Sequence, residues 1–164
     1  MTSQSQAQKD FAAQGRTPRE QLGISDREFL EMGRIGAMYY EQGNLDKART
    51  IFEGLIELDP ESSAAHAAFG ALLTRTERFT DALKHLTRAI ELNPQQIAPY
   101  VNRAEIYLRQ HRAEEAVANL KEAIALDPHE VDPAANRARA MALGIYQALS
   151  RQQRRVHVQT QTST

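Results

Sequence analysis

The stretch IFEGLIELDPESSAAHAAFGALLTRTERFTDALKHLTRAIELNP, residues 51–94, contains one phrase twice: IELDP at 56–60 and IELNP at 90–94. Reading outward, the phrase returns as IALDP at 124–128. Pro60, Pro94 and Pro128 are therefore 34 residues apart, as are Ala48, Ala82 and Ala116, and Leu58, Leu92 and Leu126. Three anchors keeping one period in three copies define an internal repeat. A unit of this length accommodates two helices joined by a turn, and it stacks on copies of itself. The prolines cannot continue a helix, so each repeat stops where the next begins. Polar breaks at QGNLDKA (42–48), TERFTDA (76–82) and QHRAEEA (110–116) separate the two helices of each copy.

Residue by residue, this pattern resembles the tetratricopeptide repeat (TPR). That family places a bulky residue at repeat position 4, Leu-Gly at 7–8, an aromatic at 11, Ala at 20, an aromatic at 24, Ala at 27 and Pro at 32. A first repeat starting at residue 29 supplies Met32, Ile35-Gly36, Tyr39, Ala48, Phe52, Leu55 and Pro60. The second, from 63, supplies His66, Phe69-Gly70, Leu73, Ala82, Leu86, Ala89 and Pro94. The third, from 97, supplies Tyr100, Arg103-Ala104, Tyr107, Ala116, Leu120, Ala123 and Pro128. Small residues at positions 8 and 20 let the paired helices approach. Arg103 departs from the apolar pattern; its aliphatic stem is expected to cover the seam while its head reaches water. The resemblance covers residues 29–130. It implies an all-α fold, a right-handed TPR superhelix of three helix–turn–helix repeats plus a C-terminal capping helix.

The expected organisation is a flexible tail at 1–24, three repeats within 25–130 (29–62, 63–96 and 97–130), a capping helix at 131–150 and a disordered basic, polar tail at 151–164. Ser25-x-x-Glu28 is a capping-box pattern, so the first repeat helix starts near Asp26. Ala134, Ala138, Met141, Ile145 and Leu149 recur at helical spacing and form the expected inner face of the cap. A cap of this kind shields the end of a solenoid from water.

Composition sets further bounds. The 164 residues are 41% hydrophobic and 25% charged, with a formal net charge of -1. That balance gives no general attraction to nucleic acid. Charge is segregated, however. Residues 29–130 carry 11 basic and 16 acidic groups, net -5, whereas 131–164 carry five arginines and one aspartate, net +4. There is no cysteine, which excludes disulfides and thiolate metal sites. The start MTSQSQAQKD lacks the basic and apolar stretches of a secretory signal. No apolar run approaches the roughly 18–20 residues needed to cross a bilayer. The expectation is a cytoplasmic protein without membrane insertion.

No catalytic constellation stands out, and the chain reads as a non-enzyme with no cofactor and no metal. Of the five histidines (66, 85, 111, 129 and 157), no pair has ligand spacing on one helix face. His66 falls on a packing position, and His111 and His129 fall in turns. The acidic residues Glu57, Asp59, Glu114 and Glu115 read as solvated or helix-end charges. Phosphate-cradling and nucleophile-elbow motifs are missing.

The family resemblance implies a concave groove lined by the first helix of each repeat, at positions 2, 5, 9, 12 and 13. These are Leu30, Gly33, Ala37, Tyr40 and Glu41; Ala64, Ala67, Ala71, Thr74 and Arg75; and Ala98, Val101, Glu105, Leu108 and Arg109. The floor is small and apolar, which suits an extended peptide or docked helix of another protein. Tyr40 and Leu108 are candidate anchors, and Arg75, Glu105 and Arg109 a polar rim. Family members that hold acidic heat-shock tails use Lys and Asn where this chain has Gly33, Ala37 and Ala68, so that clamp is missing. A short extension, three repeats and one final helix also resemble the cytoplasmic chaperones of type III secretion translocators. GAMYYEQGNLDKARTIFEGLIELDP, residues 36–60, is similar to their first repeat. The alternatives to a peptide-binding adaptor are therefore such a chaperone, or a scaffold that self-associates into a homodimer through exposed repeat ends.

Overall fold

The computed structural model describes residues 17–161, with side chains through Arg151. Residues 1–16 and 162–164, parts of the two expected tails, lie outside the described residues. Among the described residues there are eight α-helices and no strand. They are α1 (Pro18–Gln21), α2 (Asp26–Glu41), α3 (Leu45–Leu58), α4 (Ser63–Arg75), α5 (Phe79–Leu92), α6 (Ile97–Arg109), α7 (Ala113–Ala125) and α8 (Pro133–Gln161). The expected all-α architecture is what the chain adopts.

Compact packing divides the chain into two units, one ending at Pro99 and the other starting at Tyr100. The division falls inside α6, within the third repeat. Repeat arrays lack one common core, because each element packs on its sequence neighbours. A compact unit therefore need not end where a repeat ends.

In the first unit, α2 starts where the capping box places it. The Ser25 N–H donates to Glu28 Oε2 at 2.9 Å, and the Glu28 N–H donates to Ser25 Oγ at 3.3 Å. Each orphan donor thereby gains an acceptor. Upstream, within the expected tail, the short α1 has its own capping box, Thr17 with Glu20. Arg19 ties α1 down: it pairs with Asp26, lies 3.7 Å from Asp59 and sits 4.8 Å over the Phe29 ring.

Helices α2 and α3, α3 and α4, and α4 and α5 pack in succession. Small residues set their spacing. Ala48 and Ala82 are fully buried, as are Leu86 and Ala89, with Phe52 and Leu55 at 2% exposure. Gly36 lies against Phe52 and Ile51, and Gly70 against Leu86. In the second unit, Ala104, Ala116 and Ala123 are fully buried, and Leu120 is at 1% exposure. The 34-residue register thus marks the same interior positions in each copy.

The hairpin turns repeat as well. Asn44, Arg78 and Arg112 N–H groups donate to the carbonyls of Tyr39, Leu73 and Tyr107, five residues back, at 2.8–2.9 Å. The residue before each has positive φ: Gly43 at 76°, Glu77 at 60° and His111 at 60°. Only the first copy places a glycine in this left-handed position.

Between repeats, Asp59 and Asn93 side chains accept from the N–H groups of Glu61 and Gln95, both at 3.1 Å. Asp127, the equivalent residue of the third copy, does more. Its carboxylate accepts from the Val131 and Asp132 N–H groups at 3.2 and 3.1 Å, and from Arg139 at 3.0 Å. Arg139 also donates to the Asp127 carbonyl. This knot fixes the turn into α8, which packs on α7.

Ala135 and Ala138 of α8 are fully buried, and Ala134, Met141 and Ile145 are half-buried. The expected inner face ends early: Leu149 is 55% exposed. Helix α7 has 13 residues and α8 has 29, so α7 can cover less than half of α8. The helix also continues through Gln161, beyond the expected end at 150. RQQRRVHVQTQ, residues 151–161, contains neither glycine nor proline, so no residue in it breaks the helix.

Candidate functional site

The first helices α2 and α4 lie side by side in the first unit. Leu30, Ala37 and Glu41 of α2 are exposed, as are Ala64 and Arg75 of α4; Gly33, Tyr40 and Ala71 are half-buried. Leu30, at 64% exposure, is a large apolar side chain open to solvent on this face. Gly33 packs against the Leu55 side chain, 3.9 Å from where a Cβ would lie.

Two of the expected site residues come together across the helices. Arg75 Nη1 donates to the Tyr40 carbonyl at 2.7 Å, and its guanidinium carbon sits 4.9 Å from the Tyr40 ring centroid. A cation over an aromatic face is attracted by the ring quadrupole. Tyr40 is therefore held under Arg75 rather than standing free as an anchor.

Three expected lining residues are closed off. Ala67 is 6% exposed, Thr74 4% and Val101 1%. Helix α4 is flanked by both α3 and α5, so more of its circumference is covered than the position rule assumes. The Thr74 hydroxyl turns inward and donates to the Gly70 carbonyl at 2.8 Å. Ala98, in the first unit, is half-buried.

The second unit carries Glu105, Leu108 and Arg109 on α6. Glu105 and Leu108 are half-buried and Arg109 is exposed. Glu105 is held from two sides: Arg109 at 2.8 Å and Arg137 of α8 at 3.1 Å. Arg137 also donates to Asn102 at 2.9 Å. Arg137 is absent from the expected site residues. Its acidic partner lies 32 residues back, one repeat period less two, which is the signal that would have found it. Arg103 is half-buried. Its Nε is enclosed without a hydrogen-bond partner, and its guanidinium lies 6.0 Å from the Tyr107 ring.

A second feature escaped the sequence reading. His66 of α4 and His85 of α5 meet with Nδ1 atoms 3.0 Å apart and rings stacked at 5.2 Å. His66 Nε2 lies 3.0 Å from the Pro60 carbonyl, which can only accept. His66 therefore carries its proton on Nε2, and its Nδ1 accepts from His85 Nδ1–H. The Phe69 ring meets His85 edge-on at 4.8 Å. Burial pushes the His85 imidazole below its ordinary value, and the adjacent His66 adds to this. The two residues occupy positions 4 and 23 of one repeat, on different helices, so spacing along a single helix could not reveal them. No group of three or more potential metal-ligating side chains forms among the described residues. No helix among them is long and apolar enough to cross a membrane.

A succession of helix hairpins with an accessible first-helix face is the construction of a protein-interaction module. Two models of the tetratricopeptide repeat match the chain, one over residues 36–97 and one over 73–142. The chain belongs to the tetratricopeptide-repeat family. No curated protein matches it in sequence.

Solved structures share its fold. A T3SS complex from Aeromonas hydrophila aligns with a TM-score of 0.74 at 22% identity, covering 88% of this chain and 97% of that one. The type III secretion translocator chaperone SycD of Yersinia enterocolitica aligns at 0.70 and 19% identity, covering 77% and 96%. PcrH of Pseudomonas aeruginosa, in complex with the chaperone binding region of PopB, aligns at 0.64 and 23%, covering 73% and 98%. At these identities the likeness is one of fold.

Proposed function

We propose that the chain holds an apolar segment of another protein on the first-helix face of its repeats, as an adaptor or holding chaperone. The observation that carries this reading is the open, small, apolar α2–α4 surface, with Leu30, Ala37 and Ala64 exposed. Small side chains leave room for a peptide backbone, and their neighbours form shallow pockets for its apolar residues. Gly33, Ala37 and Ala68 offer no cationic clamp for an acidic tail, which favours an apolar ligand.

A more specific reading, a cytoplasmic chaperone for a type III secretion translocator, is favoured by two likenesses. The Aeromonas T3SS chain matches 88% of this one, more than the three repeats alone, and PcrH is seen with a segment of PopB. The test is copurification with candidate partners coexpressed from genes adjacent to its own. Ala37→Arg and Ala64→Arg, both at exposed positions, should each release the partner while circular dichroism stays helical. Retention by both variants would rule out this face as the site. A translocator among the retained partners would support the narrower reading, and a partner of another kind would remove it. Self-association remains the competing account, and a mass by light scattering that stays monomeric at all concentrations removes it.

A further inference from the structure

A second surface, on α8, has a ligand chemistry of its own. Ala135, Ala138, Ala142, Ile145 and Leu149 of α8 follow a 3-4-3-4 spacing, the seam one helix offers another. The first two are fully buried where α8 packs on α7, Ala142 and Ile145 are half-buried, and Leu149 is 55% exposed. Beside the end of this seam stand Tyr146 at 69% and Leu143 at 56% exposure. The lengths explain the change. At 1.5 Å per residue, α7 reaches about 20 Å and α8 about 43 Å, so the seam outruns the helix that covers it.

Charge limits what can complete the seam. From Pro133 onward the sequence has five arginines and no acidic residue. Arg137 and Arg139 are engaged by Glu105 and Asp127. Arg151, Arg154 and Arg155 follow the exposed apolar residues directly. A second copy of α8 would bring arginine against arginine with no acid to neutralise either, which disfavours self-pairing. Helix α8 already packs on a helix, α7, which favours a helix over a lipid surface as the partner of its exposed part.

We propose that the C-terminal half of α8 docks an acidic amphipathic helix of a partner protein. The partner's apolar residues, at the same 3-4 spacing, complete the seam at Ile145, Tyr146 and Leu149. Its flanking carboxylates complement the exposed Arg151 and the net positive charge of the sequence from Pro133 onward. Complementary charge of this kind raises the association rate and rejects partners of the wrong sign.

The experiment uses the full chain and a labelled synthetic helix of about three heptads with Leu on one stripe and Glu elsewhere. Fluorescence anisotropy should show saturable binding that weakens as salt rises from about 50 to about 300 mM. A peptide with Lys in place of Glu should bind at least about tenfold more weakly. The double variant Tyr146→Glu/Leu149→Glu, at exposed positions, should lose about tenfold or more with circular dichroism unchanged, whereas Ala37→Arg should bind as wild type. That last comparison separates this surface from the groove. Absence of saturable binding, or equal binding by the double variant, overturns the proposal. So does a concentration-dependent dimer lost in the double variant, which would make a second copy the occupant. Flotation with anionic vesicles lost in that variant, without peptide binding, would assign the surface to lipid instead.

Discussion

Gly70→Ala tests whether the hairpins are held at the separation that glycine permits. A Cβ at this position would lie 2.7 Å from both Cγ and Cδ2 of Leu86, and 3.3 Å from the Leu86 backbone nitrogen. Leu86 is fully buried, and the nitrogen belongs to helix α5, so neither can simply turn aside. Overpacking of this kind destabilises by about 1–3 kcal/mol. Replacing glycine by alanine inside a helix returns roughly 0.8–1 kcal/mol through backbone propensity. With a backbone atom among the contacts, the clash lies in the upper part of its range, leaving a net loss of about 1–2 kcal/mol. For a unit of this size the thermal midpoint should fall by about 5–10 °C. Gly54→Ala is the control, because nothing lies within 4 Å of its Cβ. It keeps only the propensity gain and should stabilise by about 0.5–1 kcal/mol. Urea unfolding followed by far-ultraviolet circular dichroism measures both against wild type. A Gly70→Ala protein as stable as wild type refutes the reasoning. A Gly54→Ala protein that falls as far as Gly70→Ala also refutes it, since the loss would then owe nothing to close approach.

Three further outcomes are expected. His85 titrates below its ordinary value in the folded chain, with the titratable His66 and the charged Lys84, Asp81 and Glu53 as its neighbours, so the folded state binds fewer protons than the unfolded one. Its contribution is complete above the unfolded value of about 6.5 and is lost as pH falls through the lowered folded value. The urea midpoint should therefore drop between about pH 7.5 and 5, and the drop should shrink in His85→Gln; an unchanged slope would dismiss the pair as its source. Burial pushes the Asp127 carboxyl up, but the Arg139 hydrogen bond and the Asp132 and Val131 N–H donors outweigh it and hold it below its usual range. Arg139→Gln should thus lower the melting temperature more than Arg49→Gln, whose exposed pair with Glu53 contributes only about 0.3–0.5 kcal/mol; equal effects would discount the Asp127 knot. His111→Gly should stabilise by about 0.5 kcal/mol, since relief of a left-handed conformation exceeds the added freedom of the unfolded chain, and a chevron showing no gain would reject strain at this turn.

Most of the architecture was legible because the repeat writes it three times. Ala48, Ala82 and Ala116 are interior, the capping box at Ser25 starts α2, and the polar breaks coincide with the hairpin turns. The candidate site was legible in part. A position rule says which way a residue faces on its own helix, but not what a neighbouring helix brings to it. Ala67 and Thr74 are covered because α4 has helices on both sides, whereas Ala37 and Ala64 remain open. Tyr40 meets Arg75 across 35 residues, and His66 meets His85 across 19. Such pairs depend on the relative rotation of two helices, which apolar periodicity constrains only to within a face. The reach of α8 was missed for another reason. Polar composition after residue 150 suggested a tail, but a chain free of glycine and proline can prolong a helix that is already nucleated.

The matched turns have a consequence for engineering. Three loops close their hairpins with equivalent hydrogen bonds and the same left-handed residue, at Gly43, Glu77 and His111. They are interchangeable parts. Grafting QGNLDKA from 42–48 in place of TERFTDA at 76–82 should leave the path of the second hairpin as it is. The graft brings Gly43 and the Asn44 cap into a hairpin where Arg78 provides no side-chain cap. One copy of the repeat thus holds a ready-made improvement for another.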